Sequence, residues 1–155
     1  MPSEYIMYLS ILLVGSLAIA GISVTMMAID NSMEERSIET NFESILQNIA
    51  EIIHDLKIDC EAMILEGATS INLAIPLGEL PEQIQQSEYR IEVLSSEVTY
   101  SLKAYSLDDA DVNKIVSLFI DPAEITISGS ILSTNTAPSV TYIYNGVSSS
   151  IILSS

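Results

Sequence analysis

Residues 5–29 read YIMYLSILLVGSLAIAGISVTMMAI and hold no charged side chain. Twenty-five uncharged residues exceed the roughly 20 that a helix needs to cross a hydrocarbon core. A secretory signal peptide has a shorter apolar region, a basic start and a small-residue cleavage site. Here no Lys or Arg precedes the run, and its far end is Met26-Met27-Ala28-Ile29. The run therefore reads as a membrane-length helix that stays on the chain. The flanking charges do not orient it, because the only base nearby is Arg36.

The run is also rich in small side chains: Gly15, Ser16, Ala18, Ala20, Gly21, Ser23 and Thr25. Ser16 and Ala20 lie four apart, as do Gly21 and Thr25. Small residues at this spacing let helix backbones approach closely, which is how helices associate where lipid offers no hydrophobic drive between them. Two readings follow: packing in a bundle of helices, or a plain anchor for a single chain.

Beyond the run the composition changes sign. The whole chain of 155 residues has a net charge of −16, and residues 30–155 carry 20 acids against 5 bases. Phosphate-rich partners are repelled by such a surface, so nucleic acid and anionic lipid are excluded as targets. A single cysteine, Cys60, rules out an internal disulfide. The domain must hold by packing and hydrogen bonds, with Cys60 expected in the core.

No Gly or Pro interrupts the chain between Gly21 and Gly67. Ile38, Phe42, Ile45, Ile49, Ile52, Leu56, Cys60 and Met63 recur at steps of three and four, with Leu46 and Ile53 widening the stripe. Glu39, Glu43, Gln47, Glu51, Asp55 and Asp59 occupy the opposite face. This pattern predicts an amphipathic helix. Asp30-Asn31-Ser32 is a candidate hinge or cap. If the two helical stretches join, the helix runs from about Tyr5 to Leu65, with Gly67 as its stop.

From Ser70 the period becomes two. Ile71, Leu73 and Ile75 alternate with polar or small residues, as do Tyr89, Ile91 and Val93, and then Val98, Tyr100, Leu102 and Ala104. Ile125, Ile127 and Ile131 follow. Val140, Tyr142 and Tyr144 lead into Asn145-Gly146, then Val147, Ile151 and Leu153. Asn-Gly between alternating runs is a strong hairpin signal. Residues 109–119 (DADVNKIVSLF) admit a short helix or a strand, and read best as a strand plus a turn. The fold class expected is α+β: a long N-terminal helix, apolar then amphipathic, followed by a small antiparallel β-sheet or sandwich of about six strands. The three parts span residues 1–30, 31–66 and 70–155. One sheet face is expected to bury the apolar stripe of the second helical stretch.

Reactive chemistry is hard to find. His54 is the only histidine, with no cysteine pair or patterned acids around it, so it reads as structural. No serine stands in G-x-S-x-G, and no glycine-rich phosphate loop occurs. Asp108-Asp109-Ala110-Asp111 lacks the spacing of a calcium loop and reads as a solvated turn. No catalytic residue, metal ligand or cofactor is expected.

The layout and several segments resemble those of archaeal type IV pilin-like proteins. Ser3-Glu4 before YIMYLSILLVGSLAIAG is similar to the Ser-Glu plus apolar helix start of that family. Leu80-Pro81-Glu82-Gln83-Ile84 leading to Tyr89-Arg90-Ile91-Glu92-Val93 resembles its first strand connection. The resemblance implies an extracellular filament whose core is the packed apolar helices and whose outer surface is the strand domains. It implies a membrane-bound precursor before assembly, homo-oligomeric helical assembly and a role in surface attachment. It assigns assembly to Glu4, Gly15, Ser16, Ala20, Gly21 and Thr25. Glu4 is the counterpart of the glutamate that pairs with a neighbour's terminal amine; a lone carboxylate beside an apolar bundle needs such a partner. The family carries a short basic leader removed by a prepilin-peptidase-like enzyme, whereas MPSE holds no Lys, Arg or Gly. Either the leader is gone or the chain is not processed. The second case fits a single-pass membrane accessory protein whose extracytoplasmic β-domain binds a partner, as in the archaellum stator.

Overall fold

The computed structural model describes residues 2–78 and 80–154, with side chains from Tyr5 onward. The chain is α+β: one helix, α1 (Pro2–Leu65), and seven strands. The strands are β1 (Ile71–Pro76), β2 (Tyr89–Ser95), β3 (Tyr100–Ser106), β4 (Asn113–Ser117), β5 (Thr126–Leu132), β6 (Ser139–Tyr144) and β7 (Ser149–Ser154). The chain divides into two compact units at Ser37/Ile38.

In the first unit every residue from Tyr5 to Arg36 is exposed. Asp30, Asn31 and Ser32 are helical, so no cap or break interrupts α1 at this candidate hinge or capping point. Intrinsic propensity alone does not make this helix, since Gly15, Gly21 and the β-branched Ile22, Val24 and Thr25 are weaker helix formers. No Pro interrupts it after Pro2, and a helix satisfies its own backbone where the side chains are apolar.

In the second unit the strands form a single open sheet of order β1-β6-β7-β5-β2-β3-β4. The seventh strand, beyond the six with clear alternation, is β4, from the segment that reads best as a strand plus a turn. Neighbours pair antiparallel except β5 and β7, which run parallel, Ile127 beside Ile151 and Gly129 beside Leu153. One sheet face packs on residues 38–60 of α1. Phe42, Leu46, Ile49, Ile53, Leu56 and Cys60 are buried against Tyr89, Ile91, Leu102, Ile131, Tyr142 and Ile151.

The axis of the helical stripe differs from the expected one. Leu46 and Ile53 lie at its centre and are fully buried, Ile45 and Ile52 are its partly buried flank, and Met63 is exposed. Met63 lies near the helix end, beyond the sheet's cover. Its carbonyl accepts from Ala68 N, while Gly67 N donates to Ile64 O, and Gly67 takes φ +102°. This left-handed glycine cap closes the helix.

Two ion pairs tie α1 to the strand region. Lys114 on β4 reaches Glu43 at 3.0 Å, and Lys57 reaches Glu124 at 3.3 Å and Glu61 at 3.0 Å. The Lys57 pKa is raised, chiefly by the hydrogen bond to Glu61, with burial acting against it.

Two alternating positions fall outside strands. Val98 lies in the β2–β3 connection and Val147 in the β6–β7 connection; both are exposed. The hairpin at Asn145-Gly146 forms with a four-residue loop, 145–148, because Tyr144 pairs with Ser149. Asn145 Oδ1 accepts from Val147 N and Ser148 N, and Gly146 takes φ +89°. The side-chain acceptor satisfies the loop amides that a two-residue turn would leave to the strands.

Candidate functional site

Residues 5–29 of α1 form the largest uncovered apolar surface among the described residues. Leu12, Ile19, Ile22, Val24 and Met27 are each at least 60% exposed. The helix is long and apolar enough to cross a membrane, and its most apolar window is not buried against the rest of the chain. An aqueous environment for such a surface is strongly unfavourable, at about 25 cal/mol per Å² of apolar area.

The polar atoms of the segment are turned inward on the helix itself. Ser10 Oγ donates to Ile6 O, Ser16 Oγ to Leu13 O, Ser23 Oγ to Ile19 O and Thr25 Oγ1 to Gly21 O. These bonds to carbonyls three or four residues back satisfy the hydroxyls without a partner, as a hydrocarbon or helix-packed setting requires. What each of these residues shows outward is a small, nearly apolar patch. Nothing lies within 4 Å of where a Cβ would stand at Gly15 or Gly21.

At 100° per residue the small side chains fall on two sides of the helix. Ser16, Ala20 and Ser23 share one. Ala18, Gly21, Thr25 and Ala28 share the other, about 150° away around the axis. Gly15 joins neither and lies between them, beside Ile19 and Ile22. Ala28 is the member not counted from the sequence; the seven-residue step from Gly21 is the signal that finds it. The Glu4 side chain lies outside the described residues.

The other candidate positions are accounted for locally. His54 is half-buried on the helix flank, and no group of three or more His, Cys, Asp or Glu side chains among the described residues is placed to hold a metal ion. In the 108–111 turn, Asp108 Oδ2 accepts from Ser87 Oγ and Asp109 Oδ1 from Asp111 N. Ser106 Oγ in turn accepts from Asp108 N and Asp109 N. These carboxylates serve the turn. Burial pushes the Cys60 thiol up, with Asp59 adding to the effect, which disfavours the thiolate.

Compared with known protein families, curated proteins and solved structures, the chain matches none.

Proposed function

We propose that the chain is a structural subunit of an extracellular archaeal type IV pilus-like filament. It is held in the membrane before assembly and polymerises through residues 5–29 of α1, with surface attachment as its role. The observation that carries this reading is the helix with two small-residue sides and self-satisfied hydroxyls. A plain anchor needs only apolar length, whereas close backbone approach needs small residues. Two such sides facing away from each other suit a helix flanked by neighbours on both sides. A contact in which one side of each helix meets the other side of the next is heterologous and grows without closing.

Gly21→Leu or Ala20→Leu tests this directly. Each adds a branched side chain to one packing side and leaves residues 38–155 untouched. Filament yield falls sharply while the strand domain keeps its fold, read by protease resistance of the membrane-held chain. Wild-type filament yield from both variants removes the helix from the assembly contact and leaves a tethered binding domain, an archaellum-stator-like accessory.

A further inference from the structure

Residues 38–155 hold 17 acids and 4 bases. Two of the bases are engaged within the domain: Lys57 by Glu61 and Glu124, Lys114 by Glu43. The other two, Arg90 and Lys103, stand on the sheet face turned away from α1. Their neighbours along the strands, Tyr89, Ile91, Leu102 and Ala104, are buried on the helix side, and side chains alternate between faces. Arg90 lies opposite Tyr105 and Lys103 opposite Glu92 in the β2–β3 register. Lys103 Nζ sits 5.1 Å from the Tyr105 ring centroid. The two cations, Tyr105 and Ile115, which is 52% exposed, form one patch. Glu92 is the single acid among the outward strand residues, so this face is net positive on a strongly negative domain.

The far side of the same domain has the opposite character. Glu51, Asp55 and Asp59 form a row at steps of four on the exposed side of α1. Like charges at this spacing repel along a helix, and no cation among the described residues is paired with them. The domain thus has a carboxylate row outside its helix layer and, outside its sheet layer, the two cations that hold no ion pair among the described residues.

From this charge complementarity we infer that the outer sheet face of one copy, through Arg90 and Lys103, docks on the Glu51–Asp55–Asp59 row of a second copy. The two surfaces lie on opposite sides of the domain, so the contact is heterologous and repeats from copy to copy. It relieves the repulsion in the carboxylate row. It also selects the register between neighbouring strand domains, since wrong registers set acids against acids. The inference rests on the filament reading and gives it a second contact, independent of residues 5–29.

The test uses the full chain in its own cells. Arg90→Glu with Lys103→Glu lowers filament yield by about tenfold or more, because like charges then face each other across the contact. Combining that pair with Glu51→Lys, Asp55→Lys and Asp59→Lys in one chain restores yield. Wild-type yield from the first variant overturns the contact. A second variant, Lys103→Cys with Asp55→Cys, is treated with a short bis-maleimide; Cys60 is buried and stays unlabelled. The two new thiols lie on opposite sides of one domain, so a ladder of cross-linked multimers supports the contact. Filaments without a ladder overturn it and leave assembly through residues 5–29 standing. Loss of yield on charge reversal without a ladder also overturns it, pointing to a different acidic partner. A wild-type chain that forms no filament overturns both readings.

Discussion

Phe42 on α1 and Tyr89 on β2 meet with ring centroids 5.5 Å apart and planes tilted by 54°. Both are buried, yet the Tyr89 hydroxyl has no hydrogen-bond partner among the described residues. The pair is the aromatic centre of the helix–sheet interface, and it carries an unsatisfied polar atom. An unpaired buried hydroxyl is unfavourable by about 1–3 kcal/mol. Tyr89→Phe therefore stabilises residues 38–155, by about 1 kcal/mol. Tyr142→Phe provides the contrast, since Tyr142 Oη donates to Ser149 Oγ at 2.9 Å; its loss destabilises by about 1 kcal/mol. Denaturant unfolding of the two variants, followed by near-ultraviolet circular dichroism, separates the signs.

Alkaline pH acts on the same residue. Burial pushes the Tyr89 pKa up from 10.0 to about 12. The folded state thus keeps the phenol protonated where the unfolded chain releases the proton. Its contribution is fully present below pH 10 and is lost as pH rises toward 12. Tyr142 is shifted in the same direction, again chiefly by burial. The stability of the wild-type chain is expected to fall across pH 10–12, and Tyr89→Phe makes that fall shallower. Unfolding midpoints measured at pH 8, 10 and 11.5 report the difference in slope.

Gly129 sits in the parallel β5–β7 pairing at φ +109°. A Cβ there would run into the backbone of Leu153. Gly129→Ala combines a strained backbone with a backbone clash in the middle of the sheet. The expected loss is about 3 kcal/mol or more. Proteolysis of the variant under native conditions measures it, and Gly78→Ala, which shares a positive φ (+75°) but meets no neighbouring atom, separates the clash from the backbone strain.

Gln85 and Gln86 occupy two consecutive left-handed positions, φ +53° and +67°. Ile84 and Ser87 exchange both backbone hydrogen bonds across them, at 3.0 Å each. This turn favours Asn-Gly. Gln86→Gly relieves one strained residue and is expected to stabilise by about 0.5–1 kcal/mol, net of the glycine's extra freedom in the unfolded chain. A shift in denaturation midpoint without change in slope is the signature.

The fold was legible where hydrophobic period and length act alone. The charge-free run, the Ile38–Cys60 stripe, the Gly67 stop and the Tyr144–Ser149 hairpin each follow from local residues. Pattern could not tell which stripe residues face the sheet centre, because Leu46 and Ile53 share a helix side with Ile45 and Ile52. Val98 and Val147 keep the alternation but fall in connections, since the strand pairings stop at Ser95–Tyr100 and Tyr144–Ser149. The β5–β7 parallel pairing joins strands separated by β6, so no neighbouring residues signal it. Gln85-Gln86 lacks the usual turn residues and hides its turn. For the site, Ser16, Ala20, Gly21 and Thr25 were visible as small residues four apart. Their division between two sides of the helix emerges once Ala18, Ser23 and Ala28 are placed on the same turn geometry, with Gly15 on neither.

At the start of the helix, Glu4→Gln is expected to slow assembly more than it changes stability. Under the filament proposal Glu4 pairs with an incoming subunit, so its removal affects docking, while residues 38–155 form a compact unit of their own. The rate of filament regrowth after shearing, set beside the unfolding midpoint, distinguishes the two effects.

The most direct test of the central claim is negative-stain microscopy of material sheared from the cell surface, with mass spectrometry of the purified polymer. Thin filaments containing this chain, present in the wild type and absent with Gly21→Leu, are the predicted result. Sheared material without such a polymer, together with a chain that stays solitary in detergent, would contradict it.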